Sequence, residues 1–334
     1  MKSLYLFCLC LLFIQSSCSN KDFENQSSSI TPATKNIDGF WVGELYLKPN
    51  KALPFNFKIN GDSVFFYNAD EIIRTKIITD TSQVYTIKMP VFNSAFNFKV
   101  IHDTIKGNWI NYFKGDNYSI SFSAFKTSNA VNRFFKPPSE KAQEMLKGNW
   151  EVAFAPNSQK EFKAIGIFNK KESVLSGTFL TETGDYRYLQ GDCTKDSLFL
   201  SCFDGSHAFL FEASLTDSTL DGVFYSGTHY QEKWVASKNN NFKLADPYSI
   251  TSHDESQPVH FSFPDTDSVL FNFPDSSLLN KVVILQIIGS WCPNCLDETQ
   301  FFTSLYNNYH HKGLEIIALT YEKEDTFTKK VNRV

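Results

Sequence analysis

The stretch GFWVGEL (39–45) decides the fold of the first part of the chain, because it returns as GNWEVAF at 148–154. Each copy begins with glycine, places tryptophan two residues later, and continues in the alternating apolar pattern of a half-buried β-strand. A second motif behaves in the same way, since HDTIKGNW (102–109) is echoed by TDSTLDGVF (216–224). The glycines of the two pairs are 109 and 115 residues apart. The sequence therefore predicts two copies of one β-meander unit, each about 90 residues long, with a small insertion in the second.

Short apolar runs separated by turn residues fill the first copy. The whole chain contains 33 Phe and 14 Tyr, residue types that favour strands. The Gly-x-Trp at the first strand resembles that of lipocalin-like barrels, and an open sandwich fits the same pattern. The predicted strands of this copy are FWVGELYL (40–47), FNFKI (55–59), SVFFY (63–67), VYTIKM (84–89), FNFKVI (96–101), TIKGNWI (104–110) and YSISFSAF (118–125).

The N-terminus has the features of an exported protein. Residues 1–17 combine Lys2 with an apolar core of about ten residues, which is short for a membrane span and typical of a secretory signal peptide. Cys18 follows two serines and resembles the lipidated cysteine of a bacterial lipobox, although Gln15 stands where that pattern prefers leucine. The alternative is an ordinary signal peptide cleaved nearby. Either route leads outside the cytoplasm, where thiols can be oxidised.

Composition limits the partners and suggests the domain boundaries. With 32 basic and 36 acidic residues the net charge is −4, and without a basic run nucleic acid is not an expected partner. A chain of 334 residues is long enough for two or three domains. The predicted segments are a signal peptide (1–17), a Ser-rich tether (18–36), a first β unit (37–127), a linker with one short helix (128–147), a second β unit (148–237), a polar linker (238–258) and a C-terminal domain (259–334).

Two cysteines of the second β unit lie in GDCTKDSLFLSC (191–202). If 194–197 forms the hairpin turn, Cys193 lies opposite Leu198, and Cys202 lies roughly 13 Å further along the strand at ~3.3 Å per residue. Because a disulfide requires Cα atoms within about 7 Å, we predict two separate core thiols.

Three histidines of the β units, His102, His207 and His229, lack the spacing of metal ligands. We predict structural roles for them and no metal site.

The chain changes character after residue 259. VVILQII (282–288) is a nearly continuous apolar run, typical of a buried parallel strand. A helix is predicted next, with apolar residues at helical spacing, and a second apolar strand follows at LEIIALTY (314–321). The pattern predicts a βαβ unit. The apolar residues of the helix are Phe302, Leu305, Tyr306 and Tyr309.

A Trp-Cys-Pro-Asn-Cys motif joins the first of these strands to the helix. Haem attachment requires histidine after the second cysteine, where Leu296 stands, and a zinc site requires a second ligand pair at finger spacing. A redox pair fits better. Cys292 at a helix N-terminus is favoured as a thiolate, Pro293 is tolerated in the first turn, and Cys295 lies one turn further on.

The stretch NKVVILQIIGSWCPNCLDET (280–299) resembles the thioredoxin-like TlpA/ResA group of envelope thiol-disulfide oxidoreductases, and FSFPDTD (261–267) resembles the lead-in strand of those proteins. The resemblance implies a catalytic Cys292–Cys295 redox disulfide supported by Trp291 and Pro293, with no cofactor. Gln286 stands where thioredoxins carry a buried acid that helps to deprotonate the second cysteine.

The resemblance also implies the partners: disulfide-containing envelope proteins, an upstream thiol electron donor, and a membrane reached through the lipid anchor. The family's remaining strands, helix and cis-proline loop are not found before Val334, so the α/β thioredoxin-like domain is expected to be incomplete. The predicted fold class is therefore mixed, with two antiparallel all-β repeat units, barrel or sandwich, followed by this incomplete domain.

Two alternatives to a disulfide reductase remain open. A thiol peroxidase of the peroxiredoxin type would carry threonine at position 289, where this chain has glycine. A β-rich surface binding module with a vestigial redox tail would use the two β units, which make up most of the chain. Two strands and a helix cannot cover both faces of 282–288 and 314–321, so we also expect exposed apolar side chains there.

Overall fold

The computed structural model describes residues 36–115, 117–129, 133–250, 252, 254 and 256–334. The predicted signal peptide, Cys18 and the tether up to residue 35 lie outside these residues. A membrane-spanning helix, judged by length and apolar character, is not found in the part of the chain that the structure describes.

Eight antiparallel strands of the first copy form a closed barrel in sequence order. Each strand pairs with the next one along the chain, and the last pairs with the first, with Phe40 opposite Thr127. Closure leaves no open sheet edge and decides between barrel and sandwich. The strands are β1 (Gly39–Lys48), β2 (Lys51–Asn60), β3 (Ser63–Asn68), β4 (Glu71–Thr79), β5 (Tyr85–Lys88), β6 (Ser94–Ile101), β7 (Thr104–Asn111) and β8 (Ser119–Thr127).

The second copy is also a closed antiparallel barrel of eight strands. It follows the short helix α1 (Glu140–Leu146), and its last strand returns to its first, with Trp234 opposite Phe154. The two-residue strand β12 pairs with β11 and stands outside the ring. The strands are β9 (Gly148–Phe154), β10 (Phe162–Lys171), β11 (Val174–Thr181), β12 (Gly184–Asp185), β13 (Leu189–Cys193), β14 (Ser197–Phe203), β15 (Ala208–Leu215), β16 (Thr219–Ser226) and β17 (Tyr230–Lys238).

The repeated Gly-x-Trp motif has the same structure in both barrels. The indole Nε1 of Trp41 donates a hydrogen bond to the carbonyl of Ile37, and that of Trp150 donates to the carbonyl of Leu146, at 2.9 and 2.8 Å. Both rings are fully buried. The prediction of two copies of one antiparallel β unit is confirmed.

Aromatic rings fill both barrels. Phe55 and Phe96 stack at 5.5 Å between centroids in the first barrel, and Phe179 and Phe211 stack at 4.6 Å in the second. Burial of each such ring contributes roughly 1.5–3 kcal/mol. The barrel interiors are therefore packed cores that hold the fold together.

The two barrels pack against each other through buried residues. Phe203 of β14 lies among the aromatic rings of the first barrel, 5.1 Å from Phe55 and 5.2 Å from Trp109. Arg133, in the segment between the barrels, is buried and donates hydrogen bonds to Asn56 Oδ1 and to the Ser201 carbonyl, each at 2.9 Å. The buried guanidinium of Arg133 is thus paired with acceptors from both barrels.

The C-terminal part contains the predicted βαβ unit. The short helix α2 (Pro247–Ile250) and the hairpin of β18 (Phe261–Pro264) and β19 (Leu270–Phe273) precede it. Strand β20 (Val282–Ile288) pairs in parallel with β21 (Leu314–Thr320), and α3 (Pro293–Tyr309) connects them, with α4 (Phe327–Val331) after them. In β20 the side chains of Val282 and Ile287 are 69% and 68% exposed, so the expected uncovered apolar positions are observed.

Candidate redox site

Cys292 lies at the junction of β20 and α3 and is the N-cap residue of the helix. Its Sγ accepts a hydrogen bond from the backbone N–H of Cys295 at 3.3 Å, and Pro293 occupies the first helical turn. Free N–H groups and the positive end of the helix dipole therefore face the Cys292 sulfur. This arrangement stabilises a thiolate at Cys292 once the cysteine is reduced.

The two cysteines of the motif form a disulfide in the structure. Their Cα atoms are 5.3 Å apart, because the two cysteines stand three positions apart at the start of one helix. The geometry brings the two predicted site cysteines together, while their catalytic role stays a prediction that geometry alone does not test.

The loop in front of Cys292 is held by residues that follow β21. The carboxylate of Glu322 accepts hydrogen bonds from the Ser290 N–H at 2.8 Å and from its hydroxyl at 2.6 Å, and both side chains are buried. The Trp291 indole donates to the Tyr321 carbonyl at 2.7 Å, and the Lys323 ammonium lies 3.9 Å from the centre of the indole ring. The predicted support residue Trp291 is thus held by a hydrogen bond to the backbone and by a cation over the face of its ring.

Gln286 is buried on β20 beneath the helix, and its amide contacts α3. Its Nε2 donates to Glu298 Oε2 at 3.0 Å and to Thr299 Oγ1 at 3.3 Å. Thr299 in turn donates to the carbonyl of Cys295 at 2.7 Å. Gln286 therefore connects β20 to a carboxylate on the helix that carries the cysteines.

A cleft of about 320 Å³ opens in front of the disulfide. One side is the Trp291–Asn294 segment, and the other side belongs to the second barrel. The barrel side is formed by the turn between β11 and β12 together with aromatic rings of neighbouring strands. Its residues are Phe162, Thr181, Thr183, Gly184, Asp185, Tyr186, His207 and Phe209.

Arg187 joins the second barrel to the helix of the cysteine pair. Its NH1 donates to Asp297 Oδ2 at 2.6 Å and to Asn294 Oδ1 at 3.1 Å. On its other side it donates to Glu71 at 2.8 Å and forms an ion pair with Asp204 at 3.4 Å. Only 5% of its side chain is exposed. Arg187 therefore links both barrels to Asn294, one of the two residues between the cysteines, and to Asp297 on the same helix.

The charges around Arg187 act against strong desolvation. Burial by itself would lower the pKa of Arg187, and the three carboxylates outweigh burial and raise it. Burial likewise would raise the pKa of Asp204, but the charge and hydrogen bonds of His207 together with Arg187 lower it. For Glu71 burial prevails and its pKa is raised. The cluster is a buried, mutually compensated ionic network.

The cysteines of the second barrel are separate from the redox pair. Cys193 lies opposite Leu198, as predicted, and both Cys193 and Cys202 are buried free thiols. Burial raises the pKa of Cys193 to about 12 and raises that of Cys202 well above its ordinary value. The prediction of two core thiols is confirmed.

The three histidines of the β units lie in different parts of the two barrels. His207 Nδ1 lies 3.0 Å from Asp204 Oδ2, and its ring borders the cleft, while His229 contacts the Tyr118 hydroxyl at 3.3 Å. His102 lies in the turn between β6 and β7, with a positive φ of 54°. A cluster of three or more potential metal ligands is not present among the described residues.

Sequence reasoning missed three residues of the site: Arg187, Glu298 and Glu322. Arg187 follows Asp185 in a short polar stretch with no motif, and its acidic partners come from three distant segments. Glu322 follows the second predicted strand of the βαβ unit, at the edge where the first strand delivers the cysteines. The common location of the carboxyl ends of parallel strands is the one signal that points to it.

Comparison with known proteins gives a local match. No family model matches the chain. Over 52 residues it is 40% identical to the thiol-disulfide oxidoreductase ResA of Bacillus thuringiensis (strain Al Hakam) and to that of Bacillus anthracis, covering 16% of this chain and 30% of each relative. ResA of Bacillus cereus (strain ATCC 10987 / NRS 248) is 41% identical over 49 residues, with 15% and 28% covered. The chain thus spans less than a third of the curated relatives that it matches.

A solved structure resembles a larger part of the chain only slightly. The crystal structure of a protein of unknown function from the DUF3598 family of Nostoc punctiforme covers 60% of this chain and 95% of its own, with 6% identity and a TM-score of 0.20. A TM-score this low does not establish a common fold. The comparisons therefore support, for one short segment, a relationship to thiol-disulfide oxidoreductases.

Proposed function

We propose that this protein is a thiol-disulfide oxidoreductase that reduces disulfides through the Cys292–Cys295 dithiol. The observation that carries the proposal is the position of Cys292 as N-cap of α3 with Cys295 one turn away. The local similarity to ResA supports the same chemistry. The barrels contribute a packed framework, and among the described residues the clusters that fill them consist of apolar and aromatic side chains with the two buried thiols Cys193 and Cys202.

The reaction proceeds in two exchanges. The Cys292 thiolate attacks one sulfur of a substrate disulfide, a mixed disulfide forms, and the other substrate sulfur leaves as a thiolate that takes up a proton. The Cys295 thiolate then attacks the Cys292 sulfur, which releases the second substrate thiol. The substrate gains two electrons and two protons, and the protein ends as the disulfide seen in the structure. An external dithiol returns it to the reduced form.

The surrounding residues prepare each exchange. Glu322 and the Tyr321 carbonyl fix the loop that presents Cys292, so the attacking sulfur keeps its place at the helix N-terminus. Glu298 is three residues after Cys295 on α3, a spacing at which helical side chains are neighbours. Its carboxylate, held by Gln286, is the proton acceptor that we assign to the Cys295 thiol. Gln286 thereby acts as a positioning residue.

The cellular setting follows from the N-terminal sequence. We propose an envelope protein that faces the periplasm and is anchored to the membrane through a lipid on Cys18. Its substrates in this proposal are disulfide-containing envelope proteins, and its electrons come from an upstream thiol donor. The support is the signal-like segment 1–17, the serines before Cys18 and the Ser-rich tether after it.

Insulin reduction by the full chain in the presence of dithiothreitol tests the activity. We expect the protein to accelerate insulin precipitation and Cys292→Ser to lower the rate about 100-fold or more, because Cys292 is the one described cysteine that caps a helix N-terminus and can start the exchange as a thiolate. Cys295→Ser should instead accumulate a mixed disulfide that mass spectrometry detects. Cys193→Ala, which removes a barrel thiol, is the matched control and should retain the rate. A wild-type rate equal to that of dithiothreitol alone would refute the proposal.

A further inference from the structure

We infer that the second barrel forms the substrate-binding wall of the redox site and selects a polypeptide that carries a large apolar side chain next to its disulfide cysteine. The inference rests on the proposed function and adds a substrate class to it. It also gives the second barrel a direct part in recognition.

The wall is held in a fixed position against the cysteine pair. A Cβ atom on Gly184 would come within 2.7 Å of Asn294 Nδ2, so the start of β12 lies directly against Asn294 in the segment between the two cysteines. Arg187 ties the same asparagine and Asp297 to the barrel. Two independent contacts therefore set the width of the cleft, as a preformed binding site requires.

The lining of the cleft favours an apolar side chain. Aromatic rings approach it from both sides: Trp291 next to the cysteines, and Phe162, Tyr186 and Phe209 on the barrel. Phe162 is 38% exposed although it stacks on Phe154 at 4.9 Å, which leaves part of the ring open to a ligand. A volume of about 320 Å³ lies at the small end of ligand clefts, a size suited to one large side chain and its backbone.

Among the described residues, those that line the cleft include one carboxylate, that of Asp185, and no lysine or arginine, while the nearby Lys323 ammonium is held on the face of the Trp291 ring. Arg187 lies beside it, but its guanidinium is engaged by Asp297, Glu71 and Asp204. The side chain of Asp185 is exposed at the cleft and carries a negative charge. A small thiol with several carboxylates would meet this aspartate without a free guanidinium to pair with, whereas a neutral or basic peptide meets no repulsion.

The backbone of the wall suits an extended peptide. Strand β12 pairs with β11 on one side, and within the described residues its other edge carries no strand. An open edge presents N–H and C=O groups that an added strand can use, while pockets next to it read alternate side chains. Gly184, Asp185, Phe162 and Cys292 all line the same cleft, so a peptide laid along β12 would have both the reactive cysteine and the Phe162 ring within the cleft that it occupies.

The test uses disulfide-linked dimers of Ac-Gly-X-Cys-Gly-NH2, with X as Phe, Gly or Glu, and the reduced full chain. Quenched single turnovers followed by mass spectrometry give the rate constant for loss of each peptide disulfide. We expect the Phe peptide to react about tenfold faster than the Gly peptide, with the Glu peptide slowest. Phe162→Ala should lower the Phe-to-Gly ratio at least about threefold, and Phe162→Tyr should preserve it.

Phe125→Ala is the matched control, because Phe125 is a ring of equal exposure, 37%, on the first barrel and outside the cleft. It should leave the ratio unchanged. If Phe162→Ala does not fold, Asp185→Asn carries the test through a smaller Phe-to-Glu ratio. Equal rate constants for the three peptides, or a ratio insensitive to Phe162→Ala and Asp185→Asn in folded protein, would overturn the inference and leave the oxidoreductase proposal standing. No exchange with any peptide would overturn the oxidoreductase proposal itself.

Discussion

The barrels and the βαβ unit bury their apolar residues to opposite extents. In the barrels, long series of aromatic and aliphatic side chains are almost completely inaccessible. Among the described residues after 258, Leu314 is the one large aliphatic or aromatic residue that is buried, and three polar residues, Gln286, Ser290 and Glu322, are buried to a similar extent. The first region is organised around packing and the second around hydrogen bonds at the cysteine loop.

This difference separates stability from chemistry. Packed aromatic cores supply the free energy that keeps the chain folded, whereas a two-stranded parallel sheet supplies little of it. The contacts of Arg187 and Gly184 with α3 allow the small unit to rely on the second barrel. Regions with few buried apolar contacts open locally at low free-energy cost, which suits the polypeptide substrate that we propose.

Hydrogen exchange should show the largest effect of this contrast. Amides in the barrel strands between residues 40 and 235 open only with global unfolding, so we expect them to exchange at least about 10³-fold more slowly than those of β20 and β21. Exchange followed by mass spectrometry on the monomeric 334-residue chain measures the difference. Equally slow exchange throughout 282–288 would show that the βαβ unit is as stable as the barrels.

Arg187→Met should produce the next largest effect, a loss of about 3–5 kcal/mol in the free energy of unfolding. The substitution keeps an apolar stem of similar length and leaves the buried carboxylate of Asp204 without its arginine partner. Urea unfolding measures the loss. Faster hydrogen exchange in α3 should accompany it, because Asp297 and Asn294 lose their link to the barrel.

Asp297→Asn is the matched control for the same network. It leaves Arg187 paired with Glu71 and Asp204, and the Asp297 side chain is 47% exposed, so the expected loss is below about 1 kcal/mol. Faster exchange should then be confined to α3. A large loss of barrel stability in Asp297→Asn would mean that the two regions do not separate as described.

Much of the fold could be predicted because it is local. Strand runs, the repeated Gly-x-Trp and the βαβ pattern are readable from spacing alone. Strand β4, Glu71–Thr79, was missed because charged side chains interrupt its apolar residues, and Ile72 and Ile78 are about half exposed in the structure. Closure of the barrels was undecided, since it depends on pairing between β1 and β8, about 80 residues apart.

The site was predictable only in part, because some of its residues form a local motif and others meet through long-range contacts. Cys292 and Cys295 are recognisable from four consecutive residues and the strand before them. The contribution of the second barrel cannot be recognised from the sequence, because Arg187 meets Glu71, Asp204 and Asp297 only after both barrels have folded and docked. Neither the β12 turn nor Phe162 carries a motif.

A smaller effect is expected from two cations, Lys114, which follows β7, and Lys323, which follows β21. Burial, with a further contribution from Lys323, lowers the pKa of Lys114 to about 8. Since this folded-state pKa lies below the unfolded value, the unfolded chain binds more protons between about pH 8 and 10.5, and stability should rise with pH in that window. Lys114→Met should flatten the rise in urea unfolding curves, and an unchanged rise would assign it to other groups.

The reactivity of the four described cysteines tests the account most directly, because it compares barrel and redox unit within one molecule. The measurement is iodoacetamide alkylation of the reduced, folded chain from about pH 5 to about pH 10, a range chosen to include the pKa values of most reactive protein thiols. Mass spectrometry quantifies the modification of each cysteine. We predict that Cys292 alone reacts fast, with a midpoint below about pH 7.5, and that Cys193 and Cys202 stay unmodified because both are buried with raised pKa values. An alkylation midpoint for Cys292 at about pH 8.5, the ordinary thiol pKa, would contradict the account, as would a fast phase that survives Cys292→Ser.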